Sequence, residues 1–290
     1  MLWVTLAWGA CFVAIRWGLR DAPVLWFAGL RAGVAGVALL TMARWQHRPP
    51  IRGARSWSLV SLLGAVNATI AFAAMFAGVA GLATGTAAVL ANAQPLLILL
   101  PAWWLYGEAI SARIAVGLVV GFAGLLVVAV PGGGGSGAAL SMLSATAITA
   151  GTLLARRLGA LDLVVASGWH FLLGGTALFV WAAAVEGWPG IDWTPRFVAV
   201  LGFLSLVGTA AAYLAWFAES RRCPLGLLAA WTFLVPVAGV AFAAVLLNEA
   251  PDGWTAAGIA LVLGSLWVVL HPRRDSSPAR TATVPSGTGV

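Results

Sequence analysis

Arg31 is the charged residue with the most unusual surroundings, because it lies inside the apolar stretch from Leu25 to Leu40. If that stretch crosses a bilayer, a charge within it costs about 2.5–3.5 kcal/mol, so Arg31 is expected to face protein or water. Its planar guanidinium is suited to binding a carboxylate or phosphate. The alternative is a structural anchor that pairs with helix carbonyls or a polar side chain, or that snorkels to the interface.

Two prolines mark a second group of candidate residues. Pro95 follows Asn92 and Gln94, and Pro236 follows an aromatic segment that begins at Trp231. Proline kinks or breaks a helix, which membrane helices tolerate where the break faces protein or a cavity. A cavity with one amide-rich wall and one aromatic wall would suit an amphipathic solute. Hydrogen bonding between helices is the alternative use of the polar side chains.

Other polar and aromatic side chains also fall within or at the end of apolar stretches. Asn67, Tyr213 and Trp216 are candidates for solute binding, with helix packing as the alternative. Histidine in water titrates near neutral pH, so His170 is a candidate for proton-linked transport, together with Glu219. A lone histidine is, however, more often a packed or interfacial residue.

Glu108 and Glu249 recur at matching places, each between an apolar stretch and the start of the next helix. Acidic groups near a helix N-terminus are favourable, so both are predicted to be structural caps. No metal-ligand spacing of Cys or His is visible, and we expect neither a metal ion nor a cofactor. The chain contains no Lys and therefore no phosphate-binding Gly-x-x-x-x-Gly-Lys motif, which excludes ATP-driven transport by this chain alone.

The composition indicates an integral membrane protein. The chain is 61% hydrophobic and 9% charged, with a mean hydropathy of +0.97. A soluble domain of 290 residues would need more charge to cover its surface. The net charge of +7 is spread over short loops, so it indicates membrane topology and not nucleic-acid binding. We expect the partners to be the lipid bilayer and a small-molecule solute, with the chain a monomer or a homodimer.

The polar residues above are placed by ten apolar spans that form two copies of one unit. Pro95 and Pro236 are 141 residues apart, and so are Glu108 and Glu249. The same offset relates further identical residues, such as Arg16 and Arg157. The predicted organisation is a first repeat over 1–130, a Gly-rich linker over 131–137, a second repeat over 138–271 and a disordered cytoplasmic tail over 272–290. The spans are 2–19, 24–43, 57–78, 84–105, 113–130, 138–156, 163–185, 197–218, 225–247 and 254–271.

Orientation follows from the arginines. With the N-terminus in the cytoplasm, 12 of the 16 Arg residues fall on the cytoplasmic side, so both termini are expected there. Five spans per repeat is an odd number, so the second repeat must cross the membrane in the opposite sense. The predicted fold is therefore all-α, with ten transmembrane helices in two inverted five-helix repeats. Inverted repeats are typical of secondary transporters that work by alternating access.

The sequence resembles EamA-type proteins of the drug/metabolite transporter superfamily. The opening segment 6–16 with Pro23 and Leu30-Arg31, the later Tyr106-Gly107-Glu108, and the second-repeat segments 211–216 and 248–249 carry the resemblance. It implies ten transmembrane helices in the cell membrane and export of small metabolites, such as amino acids or related amphipathic compounds. Arg31 has no equivalent in the second repeat, where Leu172 occupies the matching position.

The sequence supports two other functional classes, an enzyme and a scaffold or sensor, less well than it supports a transporter. An intramembrane enzyme needs a nucleophile with a base, or a metal cluster, and the three His residues are isolated from one another along the chain. We therefore expect no enzymatic activity. A non-transporting scaffold or sensor would need an interaction module, and the predicted tail of 19 residues offers none. For a transporter, facilitated transport, exchange and proton antiport all stay open, because no carboxylate lies in the middle of a span.

Overall fold

A computed structural model describes residues 1–106, 112–129, 135–159, 161–222, 231–232 and 234–270. Within these ranges every regular element is a helix, and no strand occurs. The fold class predicted from composition is thus confirmed as all-helical. The predicted disordered tail and most of the predicted Gly-rich linker lie outside the described residues, although Ser136 and Gly137 of that linker already belong to a helix.

The first half contains seven α-helices and one π-helical segment among the described residues. In chain order they are α1 (Leu2–Gly18), α2 (Val24–Trp45), α3 (Ala54–Leu63), π1 (Gly64–Ile70), α4 (Ala71–Gly81), α5 (Thr84–Ala91), α6 (Gln94–Tyr106) and α7 (Ala112–Ala129). The second half continues with α8 (Ser136–Arg156), α9 (Leu163–Val185), α10 (Pro195–Gly202), π2 (Phe203–Ala211), α11 (Ala212–Ser220), α12 (Leu234–Leu247) and α13 (Gly253–Leu270).

Six helical stretches of the described chain are long and apolar enough to cross a membrane. They are Val24–Trp45, Ala54–Gly81, Thr84–Leu105, Ser136–Arg156, Leu163–Val185 and Pro195–Ser220. Four shorter apolar helices accompany them, over Leu2–Gly18, Ala115–Val128, Leu234–Leu247 and Gly253–Ser265. These ten stretches lie within the ten predicted spans or extend them by a few residues at their ends.

Side-chain caps fix several helix starts. The Asp162 carboxylate accepts hydrogen bonds at 3.0 Å from the amides of Val164 and Val165, the first amides of α9 that need a partner. Thr194 caps α10 by accepting from the Phe197 amide at 3.0 Å, and Pro195 occupies the first helical position, where its missing N–H costs nothing. The chain therefore enters these spans at residues whose side chains can replace water.

The fourth apolar stretch is broken in its middle. α5 ends at Ala91 and α6 begins at Gln94, so the break lies at Asn92 and Ala93. Pro95 is the second residue of α6, a position that needs no N–H donor. The interruption predicted from Pro95 is therefore a complete break of the helix, placed just before the proline. Pro236, its counterpart, is buried within α12.

Two π-helical segments interrupt the third and eighth stretches at matching places. π1 ends at Ile70 and π2 ends at Ala211, and these two residues are 141 apart. A π segment spaces the backbone hydrogen bonds by five residues, and such segments occur frequently at functional sites. Both repeats thus carry the same irregularity, which includes Asn67 in the first and Gly208 in the second.

Small residues let the two halves approach closely. α2 packs along α9, and a Cβ on Gly36 would lie 2.6 Å from the Leu172 amide nitrogen, while one on Gly175 would lie 2.8 Å from that of Gly33. Such crossings are typical of membrane helices. Further contacts come in pairs that the 141-residue offset exchanges: α1 packs on α12, and α8 packs on α6.

Polar contacts define two faces at the two ends of α9. The arginine-rich face is held together by Arg48 with Asp162 at 2.9 Å, Arg156 with the Ser220 carbonyl, and Arg221 with the Leu161 carbonyl. At the other end of α9, Glu186 accepts from the amides of Leu25 and Trp26, and on the same side Arg196 forms a bidentate pair with Asp21. We call this second end the opposite face.

Candidate functional site

A cavity lies between the two repeats at the level of the break between α5 and α6. Its empty volume is about 420 Å³, but the part wide enough for the centre of a water molecule is only about 30 Å³. This is room for a water molecule or two, so the cavity is constricted in this structure. The polar and aromatic residues that line it include Trp8, Cys11, Arg31, Asn92, Gln94 and Tyr213.

Arg31 reaches the cavity from α2 and is 1% exposed. Its Nε donates to Thr209 Oγ1 at 2.8 Å, and its Nη2 lies 3.4 Å from the Gly208 carbonyl, so its main polar partners belong to π2. The remaining contacts are weak ones, to Met75 Sδ at 3.8 Å and Cys11 Sγ at 4.0 Å.

The positive charge of Arg31 is not balanced by a carboxylate among the described residues. The ion pairs there join Arg16 with Glu249, Arg48 with Asp162, and Arg196 with Asp21. Instead, the guanidinium lies over the Phe72 ring, 4.4 Å from its centroid, which stabilises a cation only modestly. Among the described residues the buried charge of Arg31 is therefore held by neutral partners.

The aromatic wall comes from the first and eighth stretches. Trp8 packs against Tyr213 with ring centroids 5.6 Å apart and against Trp216 at 5.3 Å. The indole Nε1 of Trp8 donates to the Gly208 carbonyl at 3.1 Å, so this π2 carbonyl is shared by Trp8 and Arg31. Trp231, the aromatic residue predicted to line the cavity from the ninth stretch, is 40% exposed and is not among its lining residues.

The amide wall consists of Asn92 and Gln94, and the amide group of each already donates one hydrogen bond within the protein. Asn92 Nδ2 donates to the Ala88 carbonyl at 2.8 Å, which closes the C-terminal end of α5. Gln94 Nε2 donates to Thr152 Oγ1 at 2.8 Å, and Trp216 Nε1 reaches the same oxygen at 3.3 Å. Trp216 is buried behind Trp8 and is not among the lining residues.

Asn67 and His170 form a second buried polar pair. Asn67 Nδ2 lies 3.5 Å from His170 Nε2, and the other ring nitrogen lies 3.4 Å from the Ala166 carbonyl. Both side chains are buried, and neither lines the Arg31 cavity. The π1 segment thus contacts a polar residue of α9, just as π2 contacts Arg31 of α2. Glu219, the other candidate for proton coupling, is half-buried near the end of α11 at the arginine-rich face.

Glu249 caps a helix of the other repeat. Its carboxylate accepts from the Thr84 amide at 2.6 Å and from Thr84 Oγ1 at 3.1 Å, at the start of α5. Arg16 completes the cluster, with its Nε 3.0 Å from Thr84 Oγ1 and 3.9 Å from the Glu249 carboxylate, and with a hydrogen bond to the Leu82 carbonyl. The helix after Glu249, α13, is capped instead by Asp252. Hydrogen bonds from the side chain and amide of Thr255 lower the pKa of the Asp252 carboxyl. Glu108 lies outside the described residues.

Several residues that build this site are not among the candidates predicted from the sequence. Thr209 and the Gly208 carbonyl hold Arg31, Trp8 forms an aromatic wall, and Thr152 collects two side-chain donors. A hydroxyl inside an otherwise apolar stretch was the available signal for Thr152 and Thr209. Among the described residues no group of three or more His, Cys, Asp or Glu side chains is arranged to hold a metal ion.

Comparison with known proteins gives the family. Residues 1–130 and 135–271 match the EamA-like transporter family. The chain belongs to this family. The resemblance seen in the sequence motifs is therefore confirmed, and the protein is a multi-pass membrane transporter. Family membership also implies transport of a small-molecule solute and not catalysis.

Relatives of this EamA-like transporter align with most of the chain at low identity. A WAT1-related chloroplast protein of Arabidopsis thaliana is 29% identical over 91% of this chain and 67% of its own length. An uncharacterised transporter of Synechocystis is 27% identical over 90% of this chain and 86% of its own. A probable amino-acid metabolite efflux pump of Salmonella typhimurium is 27% identical over 97% of each chain. A solved crystal structure shares the fold with a TM-score of 0.73 at 19% identity, covering 92% of this chain and 94% of that one.

Proposed function

We propose that this EamA-like transporter is a secondary transporter that exports small amphipathic metabolites carrying a carboxylate, such as amino acids or related compounds. The observation that carries the proposal is Arg31, a buried guanidinium that lines the cavity and whose partners there are neutral. A carboxylate would complete two charge-assisted hydrogen bonds with its planar fork. The rings of Trp8 and Tyr213 would cover the apolar part of the same solute.

The proposed transport cycle is alternating access between two inverted five-helix repeats, ten transmembrane helices in all. The helix contacts that the 141-residue offset exchanges support this arrangement, as do the two matched π segments. We place the protein in the cell membrane with both termini in the cytoplasm, because the arginine-rich face then lies inside. His170 and Glu219 are the residues we would test for proton coupling, with facilitated transport and exchange as the other modes.

The test uses purified protein in liposomes and pairs of solutes that differ at one group. Each carboxylate solute, drawn from a panel of amino acids and related metabolites, is compared with its neutral amide. We expect flux of at least one carboxylate member of the panel to exceed that of its amide, and to exceed flux into protein-free liposomes. Flux of no panel member above the protein-free level would contradict the transport proposal. Equal flux of acid and amide would contradict the role of the carboxylate.

A further inference from the structure

Thr152 connects three helices through one oxygen atom. Its Oγ1 accepts hydrogen bonds from Gln94 Nε2 of α6 and from Trp216 Nε1 of α11, at 2.8 and 3.3 Å. The same hydroxyl donates to the Ile148 carbonyl, one turn earlier in α8, at 3.1 Å. The hydroxyl proton of Thr152 thus forms a hydrogen bond within α8, while its oxygen accepts hydrogen bonds from α6 and α11.

This cluster lies between two spaces that the same helices enclose. Gln94 and Ile148 line the Arg31 cavity. Arg156 and Ser220, each one turn beyond Thr152 and Trp216, line a second space at the arginine-rich face. That second space has an open volume of about 510 Å³ for the centre of a water molecule, against about 30 Å³ in the Arg31 cavity. The Thr152 cluster therefore lies between the wide space at the arginine-rich face and the narrow Arg31 cavity.

The wide space is positively charged. Arg156, Arg157 and Arg221 all line it, and no carboxylate is among the lining residues that the structure describes. Clefts lined by one sign of charge concentrate ligands of the opposite sign. A carboxylate solute would be drawn to this second space from the arginine-rich side. The Thr152 cluster with Gln94 and Trp216 lies between that space and the Arg31 cavity.

We infer that Thr152 is the latch that closes the Arg31 cavity toward the arginine-rich face. It acts as a positioning residue, since it holds Gln94 and Trp216 across the path and need not touch the solute. Opening on this side would separate α6 and α11 from α8 and break both hydrogen bonds. The inference rests on the proposed transport function for its meaning, but the latch itself is testable without any solute.

Cys11 provides the readout, because it lines the Arg31 cavity and is buried. With Cys223 replaced by Ser, Cys11 is the one thiol of the chain. Its modification by a membrane-impermeant anionic methanethiosulfonate, added from the arginine-rich side of oriented vesicles, measures opening on that side. We expect Thr152→Val to raise the rate about eightfold, the factor given by two hydrogen bonds of the average strength between membrane helices.

Thr149→Val is the matched control, since Thr149 lies in the same helix, is buried, and donates only to the carbonyl of Ala145 within α8. Trp216→Phe is the second test variant, because it removes one donor and should give a smaller acceleration from the same side. An unchanged rate in both Thr152→Val and Trp216→Phe would overturn the inference. Equal acceleration by Thr149→Val, or acceleration only from the opposite face, would overturn it as well. Since no solute is present, failure of the transport proposal leaves this result unaffected.

Discussion

Replacing Arg31 separates solute binding from structural support more sharply than any other substitution in the chain. Arg31→Leu installs the residue that the second repeat has at the matching position, Leu172. The substitution removes a hydrogen bond of 2.8 Å to Thr209 and a buried charge that has no carboxylate partner among the described residues. The loss of the hydrogen bond and the relief of the buried charge oppose each other, so little net change in stability is expected.

The effect on solute binding should be much larger. Each hydrogen bond that involves a charged group contributes about 1.5–3 kcal/mol. Losing even one of the two proposed bonds to Arg31 therefore corresponds to about a 10- to 150-fold loss of affinity for a carboxylate solute. Arg31→Lys keeps the charge but loses the planar fork, so its affinity should fall between those of wild type and Arg31→Leu.

The assay combines flux in proteoliposomes with thermal unfolding of the purified variants. Arg48→Leu is the control, because it also removes one positive charge but does so away from the cavity. Arg48 pairs with Asp162 at the arginine-rich face and does not line the cavity. Transport by Arg31→Leu at the wild-type rate would refute the binding role. Loss of the folded protein would assign Arg31 to architecture instead.

Two further substitutions test contacts between the two repeats through the midpoint of thermal unfolding. Glu249→Gln should lower stability by about 1 kcal/mol, because it weakens the cap on α5 while the 29% exposure of the side chain limits the loss; no change would contradict the cap. Gly151→Ala should cost about 1–3 kcal/mol, since the new Cβ would lie 2.5 Å from Asn67 Oδ1. Gly202→Ala, whose Cβ would meet no atom within 4 Å, should be neutral or slightly stabilising, and equal effects of the two glycine variants would refute the close packing at Asn67.

Much of the fold could be predicted because hydropathy alone encodes it. The predicted span 163–185 coincides with α9, since its apolar run starts after the capping residue Asp162 and ends before Glu186. The burial of Arg31 was also predictable, because a single charge inside an apolar run has few places to go. These features depend only on residue type and position along the chain.

The remaining features depend on contacts between distant parts of the chain. The π segments at 64–70 and 203–211 have the same apolar composition as an α-helix, so no residue pattern predicts them. The sequence does not predict the role of Thr152, because its two donors, Gln94 and Trp216, are far from it along the chain. Likewise, Glu249 caps Thr84, which is 165 residues away and belongs to the other repeat. Periodicity within one segment carries no information about such partners.

The measurement that most directly tests the account is protection of Cys11 by a transported solute. Cys11 Sγ lies 4.0 Å from Arg31 Nη2, so a carboxylate bound to Arg31 would occupy the space beside the thiol. In the Cys223→Ser protein, a carboxylate solute shown to be transported should slow Cys11 modification in a concentration-dependent way, and its neutral amide should not. Arg31→Leu should abolish the protection. A transported carboxylate that leaves the modification rate unchanged would contradict the claim that solutes bind at Arg31.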